Sequence, residues 1–187
     1  DKEEQVADIL ANETWPYYDV YSIHSYDWPH AYEELWEHAR DGASGRPIWV
    51  TECDRGMQAD PESSFGDYAH EHALLKAQFI AQSYASSLFA GATRHFHFIL
   101  GHYMEGEHRV QFGLLRRDLT PRPSYVAAAA LGRLLAGARC LGRWEDPDQP
   151  DAQVYAFRAR PGGKERDVLV AWCEKQADWP QRGKQTI

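Results

Sequence analysis

The sequence predicts an α/β fold in which buried strands alternate with amphipathic helices and a short β-rich stretch follows. Three observations carry this. The run Arg46-Pro47-Ile48-Trp49-Val50-Thr51-Glu52-Cys53-Asp54-Arg55-Gly56-Met57 reads as a strand approached through Pro47 and left at Gly56. Helical periodicity flanks it, with Tyr32, Leu35, Trp36 and Ala39 at i, i+3, i+4, i+7 before it and a long helical stretch over residues 68–90 after it. Past Trp144 the texture changes: Asp146-Pro147-Asp148-Gln149-Pro150-Asp151 is a turn or linker, and strand-like runs at 153–160 and 167–173 are joined by Pro161-Gly162-Gly163-Lys164.

The strand before Gly56 carries the first chemistry. Side chains alternate across a strand, so Ile48, Val50 and Glu52 are expected on one face and Trp49 and Thr51 on the other. A carboxylate then ends an apolar face. In parallel sheets and barrels the carboxyl ends of the strands, with the loops after them, form the crevice where sites are built.

The remaining elements follow in order. Val6, Ile9 and Leu10 have helical spacing within residues 2–12. Residues 18–26 read as a strand with Ser22 and His24 on one face, Tyr21 and Ile23 on the other, and His24 and Tyr26 at its carboxyl end; Asp27, Trp28 and His30 sit on the loop beyond. The helix over 31–43 exits through Gly42 and Gly45. Residues 54–67 are rich in Asp, Pro, Ser and Gly and predict a long loop. In the helix over 68–90, Leu74, Leu75, Ile80, Ala81, Tyr84 and Leu88 are expected to be buried. His70 and His72 are two apart and do not face each other, so His70-Glu71-His72 reads as solvated surface. Residues 93–100 form a strand with His95 and His97 on one face and Phe96 and Phe98 on the other, and the loop over 101–111 holds Glu105 and Glu107. A closing helix over 122–136 has Pro123 in its first turn and Gly137 beyond its end.

Four of these pieces, in this order and spacing, resemble the C-terminal part of a clan A retaining glycoside hydrolase. Tyr18-Asp19-Val20-Tyr21-Ser22-Ile23-His24-Ser25-Tyr26 is similar to its sixth strand, Ile48 to Glu52 to its seventh, and Thr93 to Leu100 to its eighth. Phe112-Gly113-Leu114-Leu115 and Leu119-Thr120-Pro121-Arg122-Pro123-Ser124-Tyr125 resemble the approach to its last helix. The resemblance spans residues 15–135. It implies the C-terminal portion, about strands six to eight with their helices, of a TIM (β/α)8 barrel in residues 1–144, and the start of a small β-sandwich in 145–187. It further implies that Glu52 is the catalytic nucleophile, that Tyr26 hydrogen-bonds its carboxylate, and that His24, Trp28 and His97 meet the sugar. On the residues alone, His24 reads as a hydrogen-bonded structural histidine and Tyr26 as a loop aromatic, and Trp28 reads as either a sugar platform or a loop anchor. The clan commonly shows a Trp near the end of its eighth strand; this chain has His97, Phe98, His102 and Tyr103 there, which leaves the family unassigned.

A retaining mechanism needs two carboxyl groups about 5–5.5 Å apart. By the resemblance, the acid/base Glu belongs to an Asn-Glu pair after the fourth strand. The pair Asn12-Glu13 lies instead between a helix and the next strand, on the stability face of a barrel. The chain is therefore expected to be a fragment, inactive alone, whose acid/base sits on a missing N-terminal part of the barrel. Arg55 is read either as helping to keep Glu52 ionised or as a loop salt-bridge partner.

The resemblance implies a saccharide or glycoside substrate, and composition by itself favours neutral or cationic ligands. Acidic residues exceed basic ones, 28 against 20, and the net charge of −8 argues against nucleic acid and anionic membranes. No apolar run reaches membrane-spanning length and no secretory signal is visible, so the compartment stays open between secreted, periplasmic and other locations. Cys53, Cys140 and Cys173 are odd in number and lack metal or redox spacing, and neither a metal nor a cofactor is expected. Two other readings stand beside the glycosidase: a carbohydrate-binding relative without turnover, and a metal-dependent hydrolase barrel drawing on His24, Glu52, His95 and His97.

Overall fold

The structure is a computed structural model that describes residues 2–64, 66–106 and 109–173. Glu107 and the final stretch 182–187 lie outside the described residues. Helix α1 (Lys2–Ala11) precedes β1 (Tyr21–Ser25), α2 (Tyr32–Leu35), α3 (Glu37–Ala43) and β2 (Ile48–Cys53). After them come β3 (Met57–Gln58), α4 (His70–Phe89), β4 (Ala92–His97), β5 (Met104–Glu105) and β6 (Val110–Gln111). Helix α5 (Pro123–Leu134) leads to β7 (Arg139–Trp144), β8 (Ala152–Ala159) and β9 (Arg166–Cys173).

The strands make a mixed α/β architecture. β1, β2 and β4 pair in parallel in that order, with the helices as crossovers. β3, β6 and β5 form a small antiparallel sheet over the carboxyl ends of the parallel strands, and β7, β8 and β9 form a second antiparallel sheet. β7 begins at Arg139, so this last sheet takes in residues on both sides of the expected division at 144/145. Its Tyr155 and Phe157 belong to the same core as Val50, Phe79 and Ile80, and Phe89 meets the Tyr155 ring at 5.3 Å.

Helices cover one face of the parallel sheet. Tyr32 and Trp36 stack at 4.5 Å and, with Phe79 and Ile80, close over Val50 and Cys53. Trp49 and Phe96 meet at 6.1 Å, and Phe96 stays 47% exposed. The two faces differ accordingly, one a packed core and the other open among the described residues.

Simple alternation in β2 is overturned. Ile23 pairs with Val50, but His24 pairs with Glu52 and Ser25 with Cys53, so Thr51 is an extra residue opposite β1. The irregularity turns Cys53 to the helix side, where it is fully buried like Val50, and brings Glu52 to the open face beside His24. The buried stripe of α4 is also shifted from expectation: Leu74 is 48% exposed, while Lys76, Phe79, Ile80 and Ser83 are fully buried at i, i+3, i+4 and i+7.

Two glycines differ in whether the backbone has room for a side chain. A Cβ on Gly113 would lie 2.1 Å from the Gly101 carbonyl oxygen, whereas one on Gly132, inside α5, meets nothing within 4 Å. Gly113→Ala should therefore destabilise the protein by about 1–3 kcal/mol, and Gly132→Ala should stabilise it by about 0.5–1 kcal/mol, both read from urea unfolding.

Candidate functional site

The carboxyl ends of β1 and β2 bring three side chains together. The Tyr26 phenol donates a short hydrogen bond to Glu52 Oε2, and His24 Nδ1 lies 3.2 Å from the same oxygen. The side chains of Glu52 and His24 are 34% and 54% exposed, so the carboxylate is held yet reachable. Burial, followed by the bond and charge of Glu52, pushes the Tyr26 phenol well above its ordinary range, which keeps its proton in place as a donor. The ring of Tyr26 stands edge-on to Phe98 at 6.3 Å and to Phe112 at 6.2 Å.

Arg55 does not pair with Glu52. Its guanidinium donates to the Tyr26 carbonyl at 2.8 Å and lies over the Trp28 ring at 5.2 Å. Trp28 in turn packs edge-on against Phe79 at 6.0 Å and belongs to the rim of the core. Its contacts are those of a loop anchor.

His97 departs most from expectation. Its side chain is 4% exposed and sits on the helix side of β4, with Nε2 at 3.6 Å from Asp54 Oδ2. It therefore faces the core, away from the open face that bears Glu52 and His24. Burial drives its ring well below the ordinary histidine range. The cause is strand parity: Val50 pairs with His95 and Cys53 with His97, and both histidines follow those buried partners inward.

Beneath Glu52 lies an ionic pair absent from the sequence-based site. Lys76 of α4 reaches the strand end and donates to Asp54 Oδ1 in a short contact, with both side chains fully buried. Lys76 also donates to the Arg55 carbonyl at 2.9 Å, and Asp54 accepts the Arg55 backbone N–H at 2.5 Å. Burial pushes Asp54 up and Lys76 down, and each charge opposes the shift of the other. The signal for Lys76 was its place three and four residues before Phe79 and Ile80, on their stripe.

Neighbouring groups are inert. The Cys53 thiol, buried against the Tyr32 hydroxyl at 3.1 Å, is pushed up to about 12 by burial. His95 Nδ1 meets Ser87 Oγ at 2.8 Å, its ring packs 4.0 Å from Tyr84, and burial lowers it to about 3. His95 and His97 lie across the sheet from His24 and Glu52, so these four do not converge. Among the described residues no group of three or more His, Cys, Asp or Glu is arranged to hold a metal ion.

Comparison with known proteins adds the fold. No family model matches the chain, and no curated protein matches it. Among solved structures, it is similar to a family 39 glycoside hydrolase from Bacteroides cellulosilyticus WH2, with a TM-score of 0.56 and 20% identity over 90% of this chain and 36% of that one. It is also similar to SrfJ from Salmonella typhimurium, with a TM-score of 0.50 and 13% identity over 92% of this chain and 46% of that one. The chain thus spans about a third of the first protein and less than half of the second. At these identities the likeness is one of fold.

Two predictions follow from the buried ionisable groups. Lys76→Met should cost about 3–5 kcal/mol by stranding Asp54, and Asp54→Leu combined with it should recover much of that loss, as read in a double-mutant cycle of urea unfolding. The second concerns pH. An unfolded histidine titrates near 6.5, while folded His95 stays neutral down to about 3. The unfolded state therefore binds the extra proton, and this stability is intact above about pH 6.5 and lost as pH falls toward 3. Asp54, raised on folding, works in the opposite sense, so the comparison must be between variants. His95→Gln should flatten the fall in melting temperature between pH 7 and 5 relative to the native protein.

Proposed function

We propose that this chain supplies the nucleophile side of a retaining glycosidase site, with β1, β2 and β4 as the sixth to eighth strands of a (β/α)8 barrel. The observation that carries the reading is the Tyr26 hydrogen bond to Glu52 at the carboxyl end of the parallel strands. The fold likeness to a family 39 glycoside hydrolase supports it.

In this reading Glu52 attacks the anomeric carbon of a glycoside, oligosaccharide or polysaccharide as the glycosidic C–O bond breaks and the leaving oxygen takes a proton from the acid/base. Water then cleaves the glycosyl ester and frees Glu52. Tyr26 occupies Oε2 and leaves Oε1 for bond formation. The phenol and His24 fix the carboxylate's orientation, and the half-exposed imidazole reaches a sugar hydroxyl. The acid/base is a second carboxyl group, placed about 5–5.5 Å away by a part of the barrel that this chain does not contain. His97 has no sugar contact in this scheme, and Trp28 acts as an anchor for Arg55.

The test is trapping. In a polypeptide carrying the complementary barrel strands, a 2-deoxy-2-fluoroglycosyl fluoride should attach to the peptide containing Glu52, as seen by mass spectrometry. Glu52→Ala should lose turnover of aryl glycosides by three or more orders of magnitude, and azide should restore it with formation of the inverted glycosyl azide. Sugar binding without labelling would leave a carbohydrate-binding relative instead.

A further inference from the structure

On the helix side of the molecule, across the sheet from Glu52, a cavity of about 200 Å³ lies between α4, the loop after β1 and the second antiparallel sheet. Its lining is unusual for a gap between packed layers. Phe89, Tyr155 and Trp172 supply aromatic surface, with the Tyr155 and Trp172 rings stacked at 5.2 Å and Phe89 edge-on to Tyr155. Ser86, 4% exposed, lines the same space, and its Oγ has no hydrogen-bond partner among the described residues. The indole Nε1 of Trp172, also on the lining, is buried and likewise unpartnered. Buried donors and hydroxyls left in this state destabilise a fold unless something in the cavity bonds to them.

The charges identify what fits. Arg143 and Glu33 both line the cavity and pair with each other at 2.8 Å, so one positive and one negative group cancel at its wall. Arg143 is further engaged by Glu145 and lies over Phe89 at 5.0 Å. An anion would have to break these pairs, and a cation would face Arg143. A wholly apolar ligand would leave Ser86 Oγ and Trp172 Nε1 without bonds. Aromatic faces combined with separate donors and acceptors, with Arg143 held by carboxylates and His30 also on the wall, match a ring whose C–H face is apolar and whose hydroxyls both donate and accept.

We propose that this cavity is a second binding site, for one neutral monosaccharide unit. It is built by α4 and the sheet together and is separate from the strand ends that hold Glu52. The assignment rests on the lining alone and does not depend on Glu52 being a nucleophile. Trp172 donates its indole N–H to a ring hydroxyl, Ser86 exchanges a hydrogen bond with another, and the aromatic rings take the apolar face.

The experiment is a titration of the ¹⁵N-labelled protein with D-glucose, D-galactose, D-mannose and D-xylose, with D-glucuronate as a charged control. The indole N–H signal of Trp172 is assigned by its loss in Trp172→Phe, which keeps the aromatic stack. The expected result is a saturable shift of that signal with at least one neutral sugar, weakened about three- to ten-fold by Ser86→Ala and retained in Glu52→Gln. No shift with any neutral sugar would mean that the cavity holds water only and would overturn the proposal. A response to glucuronate alone, an undiminished affinity in Ser86→Ala, or loss of the shift in Glu52→Gln would overturn it as well.

Discussion

The buried contact between Lys76 and Asp54 ties the long helix α4 to the carboxyl end of β2, and the geometry around Glu52 depends on it. Two charges without solvent are costly to bury, and the pair is tolerable because each group finds further bonds. Lys76 takes the Arg55 carbonyl and Asp54 takes the Arg55 N–H, so the backbone just after the strand is gripped from both sides. Arg55, thus fixed, holds the Tyr26 carbonyl, and Tyr26 holds Glu52. A chain of polar contacts therefore runs from inside the helical core to the open carboxylate. Its buried end sets position and its outer end, Glu52, is reachable from solvent.

The bulge at Thr51 performs a complementary task. Without it, Glu52 would follow Val50 into the apolar core, where a carboxylate lacks both solvent and a partner. With one residue inserted opposite β1, Cys53 takes the inward place, and Glu52 emerges beside His24. Bulges at strand ends commonly re-aim a side chain in this way. The small sheet of β3, β5 and β6 then seats Val110 and Phe112 against Gly56, where a Cβ would lie 2.3 Å from the Val110 side chain. The sharp departure of the chain after Glu52 consequently needs glycine at that position.

Much of this was legible in the sequence because the elements obey simple periods. The apolar spacing of Tyr32, Trp36 and Ile80 and the run after Pro47 mark helices and a strand whose burial the structure displays. Parity correctly grouped His95 with His97, yet it did not say which face was the core. That is why His97 was assigned to sugar and lies instead against Asp54. The bulge was invisible because hydrophobic alternation has no term for an inserted residue. Lys76 was overlooked because a lysine on an apolar stripe looks like a break in the stripe until its partner, distant in sequence, is known. The grouping of Tyr26 with Glu52 came from family resemblance, since no local period relates two residues 26 apart.

The division of the sheet into two unlike faces explains how one small α/β unit combines rigidity with an accessible carboxylate. On the helix side, His95, His97 and Cys53 are kept uncharged by burial, and their packing stiffens the strands without adding reactivity. On the open side, Trp49 and Phe96 leave apolar surface beside His24 and Glu52. An apolar surface beside a partly exposed carboxylate suits the face of a sugar ring, and it equally suits further strands completing a barrel. In the proposed barrel those two demands would be compatible, because side chains inside a barrel fill its lower layers while sites occupy the rim. Trp49 lies three residues before Glu52 along β2, Phe96 lies between the partners of Val50 and Cys53, and Glu52 stands near the carboxyl end of its strand.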